Sequence, residues 1–244
     1  MIQGFIAIFF QTLVKDFLST MQDPTYVKNA FQKIADKYVV TTHVLSLGTD
    51  ILWRKKVGRI VKRWDPKVIL DVATGTGDLA LEMQKVCPQA DMIASDFCPE
   101  MLVHAERRGV KKTQVVDAMH MPFENELCDL LTVAFGLRNM ASYPDALKEM
   151  NRVTKPGGRL LILDFSLPKG ILAKPYAFYL NKVLPKIAGL ITGEREAFEY
   201  LAGSIGLFPS GQEMCDLIES QGYKNVECKP LSFGIASIYT GEKR

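Results

Sequence analysis

Residues 68–78 read V-I-L-D-V-A-T-G-T-G-D. An apolar run carrying one acid, Asp71, gives way to small residues that let a ligand approach the backbone. Leu79, Ala80, Leu81 and Met83 then open a helix. Strand, tight loop and helix start, in that order, form the first corner of a nucleotide-type α/β sheet.

Two classes of ligand use such a corner, and charge separates them. Gly75, Gly77 and Ala80 fit G-x-G-x-x-A, with Asp96 about 20 residues on for a ribose hydroxyl, as in NAD-dependent oxidoreductases. Asp71, Ala73, Gly75 and Gly77 equally fit the D-x-A-x-G-x-G loop that binds S-adenosylmethionine (SAM). A dinucleotide lays its pyrophosphate on the helix N-terminus, where N–H groups and the helix dipole attract an anion. Asp78 already stands there and Asp71 just before the loop, so a pyrophosphate is repelled. SAM brings an ammonium and a sulfonium and no phosphate, and the acids favour it.

Composition sets the outer bounds. The 244 residues suffice for a full core, and 48% hydrophobic with 23% charged residues is ordinary for a globular chain. Thirty Lys and Arg against 27 Asp and Glu leave +3, too balanced for a nucleic-acid partner. Cys87, Cys98, Cys128, Cys215 and Cys228 are odd in number, widely spaced and without a C-x-x-C pair. They indicate neither a disulfide framework nor a metal site, and the expected compartment is reducing, hence cytoplasmic. Cys98 and Cys128 read as buried, inert thiols.

Residues 1–22 read as an N-terminal extension. Residues 4–10 (G-F-I-A-I-F-F) are apolar but too short for a span, and no basic residue precedes them, as a signal peptide would require. An upstream start assignment or a membrane-touching amphipathic helix are the two readings. The α/β domain is expected over 23–244. It opens with helices: Val27, Phe31, Ile34 and Tyr38 recur at spacings of three and four, followed by Ile51, Trp53, Val57, Ile60 and Val61. These helices carry Thr41, Thr42, His43 and Ser46 between apolar residues and are placed to cover the ligand crevice.

Strands and helices then alternate. Residues 91–96 (D-M-I-A-S-D) form a second strand, and Pro99 starts a helix. Asp96 thereby lies beyond a strand's carboxyl end, where it can accept ribose hydroxyls. Residues 114–116 form a third strand, after which Asp117 suits the adenine amino group, with Ala118 and Met119 against the ring; His120 reads as structural. Residues 127–135 make a fourth, nearly continuous apolar strand. Arg138 and Asn139 follow it directly, badly placed for packing and well placed for substrate oxygens. A helix over 142–153, a Lys155-Pro156-Gly157-Gly158 turn and a fifth strand over 159–165 come next. A helical insert over about 168–208, rich in Phe, Tyr, Leu and Ile and broken at Pro175, Pro185 and Gly193, reads as a lid or as a dimer surface. Ser210-Gly211-Gln212-Glu213 resembles a capping box, and strands over 226–228 and 235–240 close the sheet as an antiparallel hairpin.

Several of these stretches together are similar to the quinone-ring C-methyltransferases of menaquinone and ubiquinone biosynthesis. They are D-V-A-T-G-T-G-D, D-A-x-x-x-P-F, A-F-G-L-R-N, R-V-T-K-P-G-G-R-L-L-I-L-D-F-S, and Phe31-x-x-Ile34-Ala35-x-x-Tyr38 with Ser46 and Trp53. The likeness runs from about residue 23 to 241. It implies a class I, Rossmann-like methyltransferase with a seven-stranded sheet, SAM as cofactor, and a prenylated quinol as substrate. Demethylmenaquinol comes first; a benzoquinol, or a SAM-binding relative without quinone activity, are the alternatives. Thr76, Asp96, Asp117 and Ala118 match the family's SAM contacts, and Ala134 stands where some members have a serine. Arg138 and Asn139 match the pair near the quinol ring. Val39 and Thr42 depart from a usual Asp and Asn, and Asp164 replaces a usual Glu.

The substrate's chemistry sets the demands on the site. A hydroquinol hydroxyl titrates near tyrosine's value, about 10, and its loss of a proton makes the adjacent ring carbon nucleophilic. Arg138 is expected to stabilise the oxyanion, Asn139 to orient the other oxygen, and Tyr38, His43 or a water to take the proton. The tail implies transient peripheral contact at the inner face of a membrane, and the insert leaves a homodimer open.

Overall fold

A computed structural model describes residues 24–244. The extension expected over 1–22 lies outside the described residues. Two helices come first, α1 (Pro24–Leu45) and α2 (Thr49–Trp64). The α/β core follows as β1 (Val68–Val72), α3 (Asp78–Val86), β2 (Asp91–Asp96), α4 (Pro99–Arg107), β3 (Thr113–Val115), β4 (Cys128–Ala134), α5 (Tyr143–Val153) and β5 (Thr154–Phe165). Helices α6 (Ala173–Phe178), α7 (Leu184–Thr192) and α8 (Arg195–Leu207) form the insert. Helix α9 (Gln212–Ser220) and the hairpin β6 (Tyr223–Leu231) and β7 (Ala236–Lys243) complete the fold.

The sheet order is β3-β2-β1-β4-β5-β7-β6, with β1 to β5 parallel and β7 antiparallel to both β5 and β6. The chain winds outward from β1 in one direction and from β4 in the other. The crevice beyond their carboxyl ends is therefore the switch point where such sheets bind ligands. Apolar side chains cover both faces: Leu70, Leu131 and Ile162 pack with α5 and α9, while Ile69, Leu130 and Leu161 pack with α2 and α3. Ser142 accepts the Asp145 N–H (3.3 Å) and starts α5.

Local departures have local causes. The third strand begins at Thr113, one residue early. The Lys155–Gly158 turn is absorbed into β5: Cys128 pairs with Thr154 and Leu130 with Arg159, so the register shifts there, with Pro156 and Gly157 exposed and Gly158 buried. The capping box does not form. Helix α9 starts at Gln212 behind Gly211 (φ +63), and Ser210 caps nothing. The closing strands are longer than their apolar pattern suggests, because pairing with β7 holds Lys224, Glu227 and Lys229 extended.

The insert folds back on α1. Ile34 packs with Leu180, Leu184, Ala188, Phe198, Ala202 and Ile205, and burying each large member contributes about 1.5–3 kcal/mol. Tyr179 donates its hydroxyl to the Leu45 carbonyl (2.6 Å), tying the insert to the end of α1. Pro175 and Pro185 sit in the first turns of α6 and α7, and Gly193 (φ +85) ends α7, as the sequence breaks suggest. On its other side α1 packs Ala35 against Cys98 and Met101. One helix thus roofs both halves of the crevice.

The glycine loop is held tightly from behind. Gly77 has φ +83, and a Cβ there would lie 2.5 Å from Val110 Cγ2 and 3.1 Å from Ala105 Cβ. Gly77→Ala is expected to cost about 2–4 kcal/mol through strain and overpacking. Thermal unfolding without ligand should show a Tm lower by about 5–15 °C.

Candidate active site

The crevice holds two adjoining cavities. The first, of about 140 Å³, is walled by the β1 loop, the ends of β2 and β4, and residues 116–119. Asp71 stands at its floor with 1% exposure. Thr132 Oγ1 donates to Oδ1 (2.5 Å) and Thr74 Oγ1 to Oδ2 (2.6 Å). Burial outweighs these bonds and pushes the carboxyl up to about 6. Asp96 accepts the Gly75 N–H (2.7 Å) and the Cys98 N–H (2.9 Å), and burial raises it as well. Asp117 accepts the Met119 N–H (2.9 Å) and contacts His120 Nδ1 (3.3 Å), a partner for His120 that local sequence did not suggest.

Asp78 lines this cavity too, but it is not a bare charge. Arg108 donates to it at 2.7 Å and Thr76 Oγ1 at 3.0 Å. Burial would raise Asp78; the Arg108 hydrogen bond and the charges of Arg54 and Arg108 overcome it and hold the carboxyl below its usual range. Among the described residues, Asp71 and Asp96 are the loop carboxyls without an ion-pair partner, whereas Asp78 has Arg108.

The second cavity, of about 310 Å³, lies between α1, the insert and the end of β4. Phe31, Tyr38, Trp53, Phe135, Phe165, Tyr176, Tyr179 and Phe198 supply its aromatic part, with Ile, Leu, Ser and Thr residues between them. Arg138 is its buried cation, with a side chain 1% exposed. Nη1 donates to the Phe135 carbonyl (2.6 Å) and to Asp164 Oδ1 (2.7 Å), and the guanidinium stands 5.1 Å from the Phe165 ring centre. Burial raises the Asp164 carboxyl despite the arginine. Phe31, Tyr38 and Phe135 line both cavities and form their common border. Burial raises the Tyr38 phenol, against the charges of Arg138 and Arg54. At neutral pH it is a neutral hydroxyl.

Of the residues singled out in the sequence, Asp71, Ala73, Gly75, Thr76, Asp96, Asp117, Ala118, Ala134, Tyr38 and Asn139 line the first cavity. Arg138 lines the second, and Gly77 lies behind the loop, against Val110. His43 borders neither cavity: its Nδ1 meets Asp50 Oδ2 at 2.8 Å, in a cluster that includes Ser46 and Arg54. Arg54, Lys28 and Phe97 also line the first cavity and were missed. For Arg54 a signal existed: Asp50, Trp53, Arg54, Val57 and Val61 share one buried face of α2.

The model of the ubiE/COQ5 methyltransferase family matches residues 19–243. The demethylmenaquinone methyltransferase of Thermus thermophilus is 39% identical over 219 residues, covering 87% of this chain and 99% of that one. The ubiquinone/menaquinone biosynthesis C-methyltransferase UbiE of Bdellovibrio bacteriovorus is 38% identical, covering 90% of this chain and 96% of its own. Among solved structures, a SAM-dependent methyltransferase of Thermotoga maritima superposes with a TM-score of 0.65 at 17% identity, over 89% of this chain and all of that one, which is a likeness of fold.

A buried carboxyl raised from 3.8 to about 6 contributes more stability to the ligand-free protein below pH 4 than above pH 6. Stability is lost as pH rises through 6, by about 3 kcal/mol for this group. Asp71→Asn should flatten that dependence, hold or raise Tm at pH 7.5, and weaken SAM at least tenfold. Thermal scans against pH, with titration calorimetry, measure both. A lower Tm with unchanged affinity would assign Asp71 to packing alone.

Proposed function

The chain belongs to the ubiE/COQ5 methyltransferase family, and on that premise we propose that it transfers a methyl group from SAM to a ring carbon of a prenylated quinol, with demethylmenaquinol the first choice. One observation carries the substrate class. A cavity walled by aromatic and aliphatic side chains, with Arg138 the buried arginine among its described lining, adjoins the acid-lined cavity at Phe31, Tyr38 and Phe135.

The first cavity fits SAM by its donor set. Asp96 suits the ribose hydroxyls, Asp117 the adenine amino group, and Ala118 with Met119 the flat ring. Ala73, Gly75 and Thr76 bring the loop against the ligand, and Ala134 offers backbone where some relatives offer a serine. Asp71 opposes positive charge. Bound there, SAM supplies an electrophilic methyl on a sulfonium.

The chain's own part is to favour the phenolate and to keep water out. Arg138 places a fixed cation in a dry aromatic wall, where it stabilises a developing oxyanion more than it could in water. Asp164 orients it. Asn139, whose Nδ2 also donates to the Phe135 carbonyl (3.3 Å), stands beside it to position the second ring oxygen. Tyr38, protonated at neutral pH, is not a base, and His43 is out of reach. Val39 and Thr42 stand in place of an Asp and an Asn, and a water is the acceptor this reading favours for the quinol proton.

A prenylated quinol resides in a membrane, and the proposal includes transient contact with one. Leu47, on the wall of the second cavity, is 89% exposed, and Phe233, beside the lining residue Ser232, is 85% exposed. Among the described residues no helix is long and apolar enough to cross a membrane.

Incubation with methyl-labelled SAM and reduced short-chain naphthoquinone or benzoquinone should give labelled ring-methylated product, faster with the naphthoquinol. No product from either refutes the proposal. Arg138→Lys, which keeps the charge but loses the planar fork, should lower turnover at least 100-fold while SAM affinity stays within threefold.

A further inference from the structure

We infer that Arg54 binds the carboxylate of the methionyl half of SAM. The inference rests on the reading that SAM occupies the first cavity, and it explains a charge which that reading leaves without a counterpart. SAM carries a sulfonium, an ammonium and a carboxylate. Asp71 suits the cations, since Asp96 and Asp117 face the ribose and adenine and Asp78 is held by Arg108; the carboxylate needs a donor of opposite charge.

Among the described residues, two basic side chains line the cavity, Lys28 and Arg54. Lys28 stands 5.6 Å from the centre of the Phe97 ring, next in sequence to Asp96, and so belongs to the adenosyl end. Arg54 stands at the opposite end. Its guanidinium is 5.4 Å from the centre of the Phe135 ring, on the border with the second cavity, and its charge acts on Asp71, Asp78 and Tyr38.

Arg54 is 7% exposed, and its donors are underused. Nη1 binds Asp50, and buried Nε has no hydrogen-bond partner. An arginine carries five N–H donors in a planar fork suited to carboxylates. Asp50, fixed by Ser46 Oγ (2.5 Å) and His43 Nδ1 (2.8 Å), orients that fork. A buried ion pair adds little stability compared with apolar residues, so packing alone is a weak reason for placing one at a cavity wall.

The test compares affinities of wild type, Arg54→Gln and Arg54→Lys for three ligands by titration calorimetry. The ligands are SAM, decarboxylated SAM, and 5′-methylthioadenosine, which lacks the amino-acid portion altogether. Wild type should prefer SAM over its decarboxylated form at least tenfold. Arg54→Gln should lose 10- to 100-fold for SAM and remain within threefold for methylthioadenosine, so that the preference disappears. Arg54→Lys should keep part of it. An unchanged preference in Arg54→Gln, or equal weakening of all three ligands, overturns the inference. A wild type that binds neither SAM nor methylthioadenosine removes the underlying reading instead.

Discussion

The crevice depends on one buried carboxylate at the end of a central strand. Asp71 joins three pieces of chain that no apolar contact could hold so exactly in place: its own strand, the loop through Thr74, and β4 through Thr132. Ser95 Oγ donates to the Asp71 carbonyl (3.2 Å), adding β2 to the same node. Burying this charge costs free energy, and its neighbours reduce the cost without cancelling it. A charge kept under such conditions is poised for a cationic ligand, whose arrival would lower the carboxyl's pKa and relieve the cost. Loop shape and ligand preference therefore have one physical origin.

The second cavity has a different logic. Its wall mixes aromatic and aliphatic side chains, and within it Trp53, Phe135 and Phe165 lie 4.7–6.2 Å apart, centre to centre. A lone cation there would be expensive. Arg138 is tolerated because Asp164, a backbone carbonyl and the Phe165 face share its solvation. The two cavities thus differ in chemistry: among the described residues, the first is lined by four acids with Lys28 and Arg54, the second by apolar side chains around one shielded cation.

What the sequence made legible was local. Strand runs, the glycine loop, the acids that follow strands, and the proline and glycine breaks of the insert all follow from periodicity and turn chemistry within a few residues. Most of the residues singled out for the crevice do meet there. What was not legible depends on distant partners. Arg108 lies 30 residues from Asp78, and nothing near Asp78 announces it. His43 stands in a polar stretch that looks catalytic, yet Asp50 and Arg54 claim it. Arg54 sits in the basic run R-K-K, which conceals that one of its members faces inward. The capping box failed because Gly211 turned the chain first.

Phe135 is held in an unusual backbone conformation at the crevice. A bulky side chain with φ +57 is unfavourable, and here Arg138 and Asn139 both hold its carbonyl, while its N–H donates to the Leu163 carbonyl (2.7 Å). Its ring, 6% exposed and packed against Trp53 and Phe165, stands where the two cavities meet. The threshold between the two compartments is therefore a flat aromatic wall carried on a backbone that its neighbours hold in place.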